Sequence, residues 1–195
     1  MHGLINRSLQ CFLRDTYGVT VWAQIASAAG VGVEGFEPLL TYDDSITETL
    51  VATAALHLNR PRDTVLEDLG TYLVSHDNLQ SLRRLLRFGG VSFVDFLHSM
   101  EDLPEHGRLG LPDLDLPDFT LIEQGQGAFR LYVTPMIAGT GHVMVGLLRA
   151  MADDYGALVL LEHGGQDQGR EVISVHLLDK NHADGRRFDL AAAER

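Results

Sequence analysis

Apolar residues recur along the first hundred positions at the three- and four-residue spacing of helices and, after Leu116, at a spacing of two. Ile5, Leu9, Phe12, Leu13 and Tyr17 share one face of a predicted helix from Leu4 to Tyr17, which Gly18 ends. A second helix, Thr20 to Ala29, carries Val21, Trp22 and Ile25, with Trp22 as a core anchor, and the Gly-rich VGVEGFEP after it reads as a loop. Ser45-Ile46-Thr47-Glu48 has the form of a capping box and predicts a helix to about Leu58. Pro61 suits the first turn of the next helix, about Arg62 to Ser75, which presents Val65, Leu66, Leu69, Tyr72 and Leu73 on one side. Asn78 to Arg87 follows, with Leu79, Leu82, Leu85 and Leu86 predicted inward and Arg83, Arg84 and Arg87 outward as a solvated face. Ser92-x-x-Asp95 starts a helix that runs to about Met100.

Strands are predicted over Phe119 to Gln124 and Phe129 to Thr134, joined by Gly125-Gln126-Gly127 as a hairpin. His142 to Tyr155 returns to helical spacing. Ala157 to Glu162 and Val172 to Leu178 read as two more strands, with GGQDQGR between them as a loop. Helices first and strands later predict an α+β fold: an N-terminal helical bundle, then an antiparallel sheet of about four strands crossed by one helix. Residues 1–178 are expected to form one domain and 179–195 a loosely held polar tail.

The 195 residues are 45% hydrophobic, enough for one sizeable core. A formal charge of −12 excludes a phosphate-neutralising surface and so a nucleic-acid partner. Cys11 is the single cysteine, which rules out an internal disulfide or a thiolate cluster, and its apolar surroundings predict a buried thiol. No signal-peptide pattern and no membrane-length apolar run occur, so a soluble cytoplasmic protein is expected. GxSxG, HExxH, P-loop and GxGxxG motifs are all absent, and no enzyme is expected. Asp102, Glu105 and His106, like Asp153, Asp154 and Glu162, read as solvated surface groups.

Several short stretches stand in a telling order: Met1-His2-Gly3-Leu4-Ile5 at the start, Trp22 in the second helix, Leu116-Pro117-Asp118-Phe119, then Tyr132-Val133-Thr134-Pro135-Met136 followed by the helix GHVMVGLLRAMADDYG. That order resembles the H-NOX family, the haem-nitric-oxide/oxygen binding domains related to the sensor region of soluble guanylate cyclase. The resemblance implies the H-NOX fold, haem b as cofactor and sensing rather than catalysis. It also implies partners such as histidine kinases or cyclic-dinucleotide enzymes. In that family a helix carries an axial histidine, a Pro-rich segment packs on the porphyrin, and a strand motif Tyr-x-Ser-x-Arg holds the propionates. Laid on this chain, the axial position falls on Pro104 and the propionate arginine on Met136.

Proline has no lone pair for iron, and inside a helix it costs about 3 kcal/mol. His106, two residues on, is roughly 200° further round a regular helix, unless Pro104 starts a fresh turn and rotates it inward. Met136 cannot make the bidentate pairing that arginine makes with a carboxylate. The expectation is a stand-alone sensor or ligand-binding protein, haem-free or altered in ligand. Its expected pocket is lined by Ile5, Leu9, Leu97, Pro104, Pro117, Leu121, Tyr132, Thr134 and Met136, with no metal ligand. The alternative is a haem b sensor of nitric oxide or oxygen with His106 as the axial ligand.

Overall fold

The change of period after Leu116 is a change of layer in the computed structural model, which describes residues 1–186. Helices α1 (Gly3–Tyr17), α2 (Val19–Ala28), α3 (Asp44–Leu58) and α4 (Arg62–Ser75) come first. α5 (Gln80–Arg87), α6 (Phe93–Ser99) and α7 (Leu103–Gly110) follow, with 3-10 turns at Asp77–Leu79 and Met100–Asp102. Strands β1 (Phe119–Gly125), β2 (Ala128–Val133), β3 (Leu158–Asp167) and β4 (Arg170–Asp179) form an antiparallel sheet in the order β1-β2-β4-β3. Between β2 and β3 the chain crosses the sheet as α8 (Thr140–Tyr155). The α+β architecture is therefore as the pattern predicts. Part of the polar tail, from residue 187 on, lies outside the described residues. No described helix is long and apolar enough to cross a membrane.

Two apolar cores result. One gathers Leu9, Phe12, Leu13, Trp22, Ile25, Leu50 and Leu66 from α1–α4, and Trp22 also donates its indole N–H to the carbonyl of Val33. The other gathers Phe96, Leu97, Met100, Leu131, Val133, Leu148, Met151 and Ile173 from α6, the 3-10 turn after it, α8 and the inner face of the sheet. They meet where α4 crosses α8. There the helix backbones touch, because a Cβ built on Gly70 would lie 1.9 Å from the carbonyl oxygen of Val143, and one on Gly146 would lie 1.9 Å from that of Glu67.

Several local expectations are corrected. Asp43, not Ser45, caps α3: its carboxylate accepts from the Ser45 N–H at 2.8 Å, which frees Glu48 to pair with Arg62 at 2.6 Å. Ser92 and Asp95 do form a reciprocal capping box at α6. Arg83, expected outward, is buried against an equally buried Asp154, and Leu85, expected inward, is exposed. The helix turns this way because a buried carboxylate needs its counter-charge. GGQDQGR is not a loop, since β3 runs to Asp167 and β4 starts at Arg170 around a tight Gln168-Gly169 turn. Both turn residues have positive φ, 50° and 80°, the geometry that suits the right-handed twist of a two-residue hairpin. Cys11 is only half-buried.

Within the helical core the Tyr72 hydroxyl donates to Asp15 at 2.8 Å, and Arg14 lies 3.1 Å from the same carboxylate. Burial pushes Asp15 up, but hydrogen bonds from Tyr72 and Arg14 outweigh it and hold the carboxyl below its ordinary value. A depressed carboxyl contributes stability above its unfolded pKa and loses it as pH falls through the folded one. Tyr72→Phe is expected to cost about 1.5–3 kcal/mol near neutrality, the usual worth of a hydrogen bond to a charged group. The same variant flattens the loss of stability below pH about 4, and urea denaturation at several pH values measures both effects.

Candidate functional site

The N-terminal strand-like residues, the 113–118 segment and the end of β2 enclose a cleft of about 430 Å³. Its lining includes Met1, His2, Thr41, Leu116, Pro117, Thr134, Pro135 and Met136, with Asp44, Asp113, Asp115 and Asp118 around it. Gly3 permits this wall to form, because a Cβ there would lie 2.1 Å from the carbonyl oxygen of Glu37. The Met1 ammonium donates to the Tyr42 carbonyl at 2.7 Å and to Asp44 at 2.5 Å, which neutralises one of the four carboxylates. His2 is buried and caps α1, its Nδ1 accepting from the Leu4 N–H at 3.2 Å. On the far wall Thr134 donates its N–H to the backbone carbonyl of Asp118 at 3.0 Å, and Thr140 Oγ accepts from the N–H of Met136 at 3.1 Å. Leu116, Pro117, Pro135 and Met136 are half-buried in the cleft, His2 is buried, and the four aspartates are exposed at its rim.

Of the residues expected to line one pocket, Pro117, Thr134 and Met136 come together here. Leu9 belongs to the helical core, Leu97 to the sheet core, and Leu121 packs on the sheet core. Ile5 is half-buried on α1. Leu121 pairs with Leu131, whereas Tyr132 pairs with Thr120 and Val172, so alternation sends Leu121 and Tyr132 to opposite faces of the sheet. Tyr132 is covered instead by Arg170, whose guanidinium carbon stands 4.5 Å from the ring centroid. Sequence reasoning missed Arg170 because GGQDQGR was read as a loop. With β4 starting at Arg170, that residue becomes the diagonal cross-strand neighbour of Tyr132. It also missed Thr41, Asp113 and Asp115, which carry no motif, and did not single out His2 and Asp118 within the stretches that contain them.

Pro104 is not in a helix interior. It sits in the first turn of α7, where its missing N–H breaks no helical hydrogen bond, so the expected cost does not arise. The fresh turn leaves His106 exposed, at the edge of a second cleft of about 350 Å³ between α5, α6 and α7 that also includes Leu85, Phe88, Phe96 and Met100. The two clefts share no lining residue. Pro104 is buried and lines neither. His98 is exposed, with its ring edge-on to Phe129 at 6.2 Å. The preceding 3-10 turn is pinned to β1 by Glu101, which accepts from the Leu121 N–H at 2.9 Å.

The sequence pattern of the Haem-NO-binding family matches residues 2–163. Soluble guanylate cyclase gcy-31 of Caenorhabditis elegans is 21% identical over 154 residues, which are 79% of this chain and 22% of that protein. Soluble guanylate cyclase 89Db of Drosophila melanogaster is 21% identical over 159 residues, 81% of this chain and 24% of that protein. The chain thus spans about a quarter of the length of these curated relatives. Among solved structures, an H-NOX protein from S. oneidensis in the Fe(II) ligation state superposes with a TM-score of 0.79 at 17% identity, covering 94% of this chain and all of that one. A mutant H-NOX of T. tengcongensis superposes with a TM-score of 0.77 at 15% identity, covering 92% of this chain and 99% of that one. At these identities the likeness is one of fold.

Proposed function

The chain belongs to the haem-NO-binding (H-NOX) family, and from that premise we propose that it is a non-catalytic sensor or ligand-binding module whose site no longer holds haem through an axial imidazole. The observation that carries this reading is the disposition of the imidazoles. The position that the family gives to the axial histidine is a buried proline, and the two histidines on either side of it, His98 and His106, lie on exposed surfaces that do not join the cleft at Pro117, Thr134 and Met136. The cleft's chemistry supports the same reading. A porphyrin presents two carboxylates, and Asp113, Asp115 and Asp118 at the rim oppose them, while Met136 offers no counter-charge. The residues present therefore do not fit an iron porphyrin.

In this reading Pro117, Thr134 and Met136 contact a ligand of another kind, and Leu9, Leu97 and Leu121 serve as core. The output is regulation of an effector enzyme, a histidine kinase or a cyclic-dinucleotide enzyme, with the acidic surface meeting a basic patch. The test is a visible spectrum of protein expressed with haem supplied. No stoichiometric Soret band is expected. A stoichiometric band would overturn the proposal, and its loss in His106→Ala would identify the ligand and establish a haem b sensor of nitric oxide or oxygen.

A further inference from the structure

His2 carries a hydrogen-bond donor that no described group accepts. The residue is only 8% exposed, and the backbone on either side of it is fixed: the Gly3 N–H donates to the Leu40 carbonyl at 2.7 Å and the Tyr42 N–H to the Met1 carbonyl at 2.9 Å. Its Nδ1 accepts from the Leu4 N–H, so the ring hydrogen is on Nε2. A ring this buried ordinarily finds a partner for each nitrogen. Of the two clefts, His2 lines the one at Pro117 and Met136, and that opening is where a partner for Nε2 can enter.

The same cleft carries charge that the protein does not neutralise. The Met1 ammonium pairs with Asp44, but the exposed carboxylates of Asp113, Asp115 and Asp118 have no hydrogen-bond or ion-pair partner among the described residues. Three like charges at one mouth draw cations toward it. They do not converge on a point, since among the described residues no group of three His, Cys, Asp or Glu is disposed to hold a metal ion. Spread acceptors suit an ammonium group, which donates in several directions. No Phe, Tyr or Trp lines the cleft, so a quaternary ammonium would have no aromatic face to rest on. The half-buried Leu116, Pro117, Pro135 and Met136 offer surface to methylene groups, and the volume of about 430 Å³ is that of a small-molecule site.

We propose that this cleft binds a small aliphatic amine that bears an oxygen acceptor at its other end. The ammonium sits among Asp113, Asp115 and Asp118, the methylene groups lie on the prolines, Leu116 and Met136, and the His2 Nε2–H donates to the oxygen. The assignment rests on the reading that the cleft holds a ligand other than haem, and it adds the class of that ligand. Salt screens the exposed carboxylates but not the buried donor, so the two ends of the ligand respond differently to ionic strength.

Addition of aminohexanol to the full chain, followed through the ring-nitrogen signal of His2 and the methyl signal of Met136, tests the proposal. Saturable binding is expected, weaker by about two- to tenfold for hexylamine, which lacks the acceptor. Hexanol, which lacks the charge, should also bind more weakly, and the anion hydroxyhexanoate should not saturate the site. Raising salt from about 20 to 300 mM should weaken aminohexanol several-fold and leave hexanol unchanged. Asp113→Asn, Asp115→Asn and Asp118→Asn together should bring aminohexanol down to the affinity of hexanol, while Asp153→Asn, exposed at the other end of α8, should change nothing. His2→Asn keeps a side-chain acceptor to cap α1 but removes the ring donor, so it should bind aminohexanol no better than hexylamine. No saturable binding of aminohexanol, equal binding of hydroxyhexanoate, or unchanged affinity in His2→Asn would each overturn the proposal. A stoichiometric Soret band overturns the reading beneath it, whereas the absence of both the band and amine binding overturns this inference alone.

Discussion

Asp154→Ala is expected to lower stability by about 3–5 kcal/mol and the melting temperature by roughly 10 °C. Asp154 is 1% exposed at the end of α8 and faces two guanidinium groups of α5: Arg83 donates from Nε at 2.8 Å, and Arg87 Nε lies 3.6 Å away. Arg87 in turn lies over Tyr155, 3.9 Å from the ring centroid, and the Tyr155 hydroxyl donates to the Gly90 carbonyl at 3.0 Å. Removing the anion leaves two cations in a place that water reaches poorly. Replacing the ionic pair by Asp154→Leu with Arg83→Met should recover only part of the loss, because the apolar substitute avoids the desolvation of those two charges but leaves Arg87 without its carboxylate. Thermal and urea denaturation of the single and double variants measure this. A loss below about 1 kcal/mol for the single variant would show that solvent supplies the missing counter-charge.

The second large effect is expected at the crossing of α4 and α8. Alanine normally improves a helix over glycine by roughly 0.5–1 kcal/mol. At Gly70 the sign reverses, since the new Cβ would meet the backbone oxygen of Val143 at 1.9 Å, and backbone cannot step aside as a flexible side chain can. Gly70→Ala should therefore destabilise by about 1–3 kcal/mol, and Gly146→Ala by a similar amount. The two together should cost less than their sum, because one displacement of the helices relieves both clashes. Urea midpoints give the values, and equal or greater stability of Gly70→Ala would show that the helices separate at no cost.

The fold was legible because each layer has its own period. Leu9, Phe12 and Leu13 could only be helical, and Phe129, Leu131 and Val133 only extended, and both sets are buried as those periods require. What escaped depended on partners far along the chain. Arg83 reads as surface until Asp154 is placed beside it, and Ser45 reads as a cap until Asp43 proves nearer to the free N–H groups. The two strands of the second hairpin were read, but their continuation to a tight turn was not, because glutamine seldom takes positive φ and Gln168 lacks the usual asparagine signal. The pocket residues were legible only in part. Parity alone separates Leu121 from Tyr132 once Leu121 is paired with Leu131, but the acidic rim and His2 come from segments with no periodic pattern.

Glu171, 2% exposed on β4, closes the N-terminal end of α8. A helix that begins with glycines and free N–H groups attracts phosphate and sulfate. Here the chain has placed its own carboxylate in that seat, held by Gly139 and Gly141. Phosphorylated metabolites and buffer oxyanions thus find the berth already taken, and the cell's phosphate pool cannot speak to α8 through its leading end.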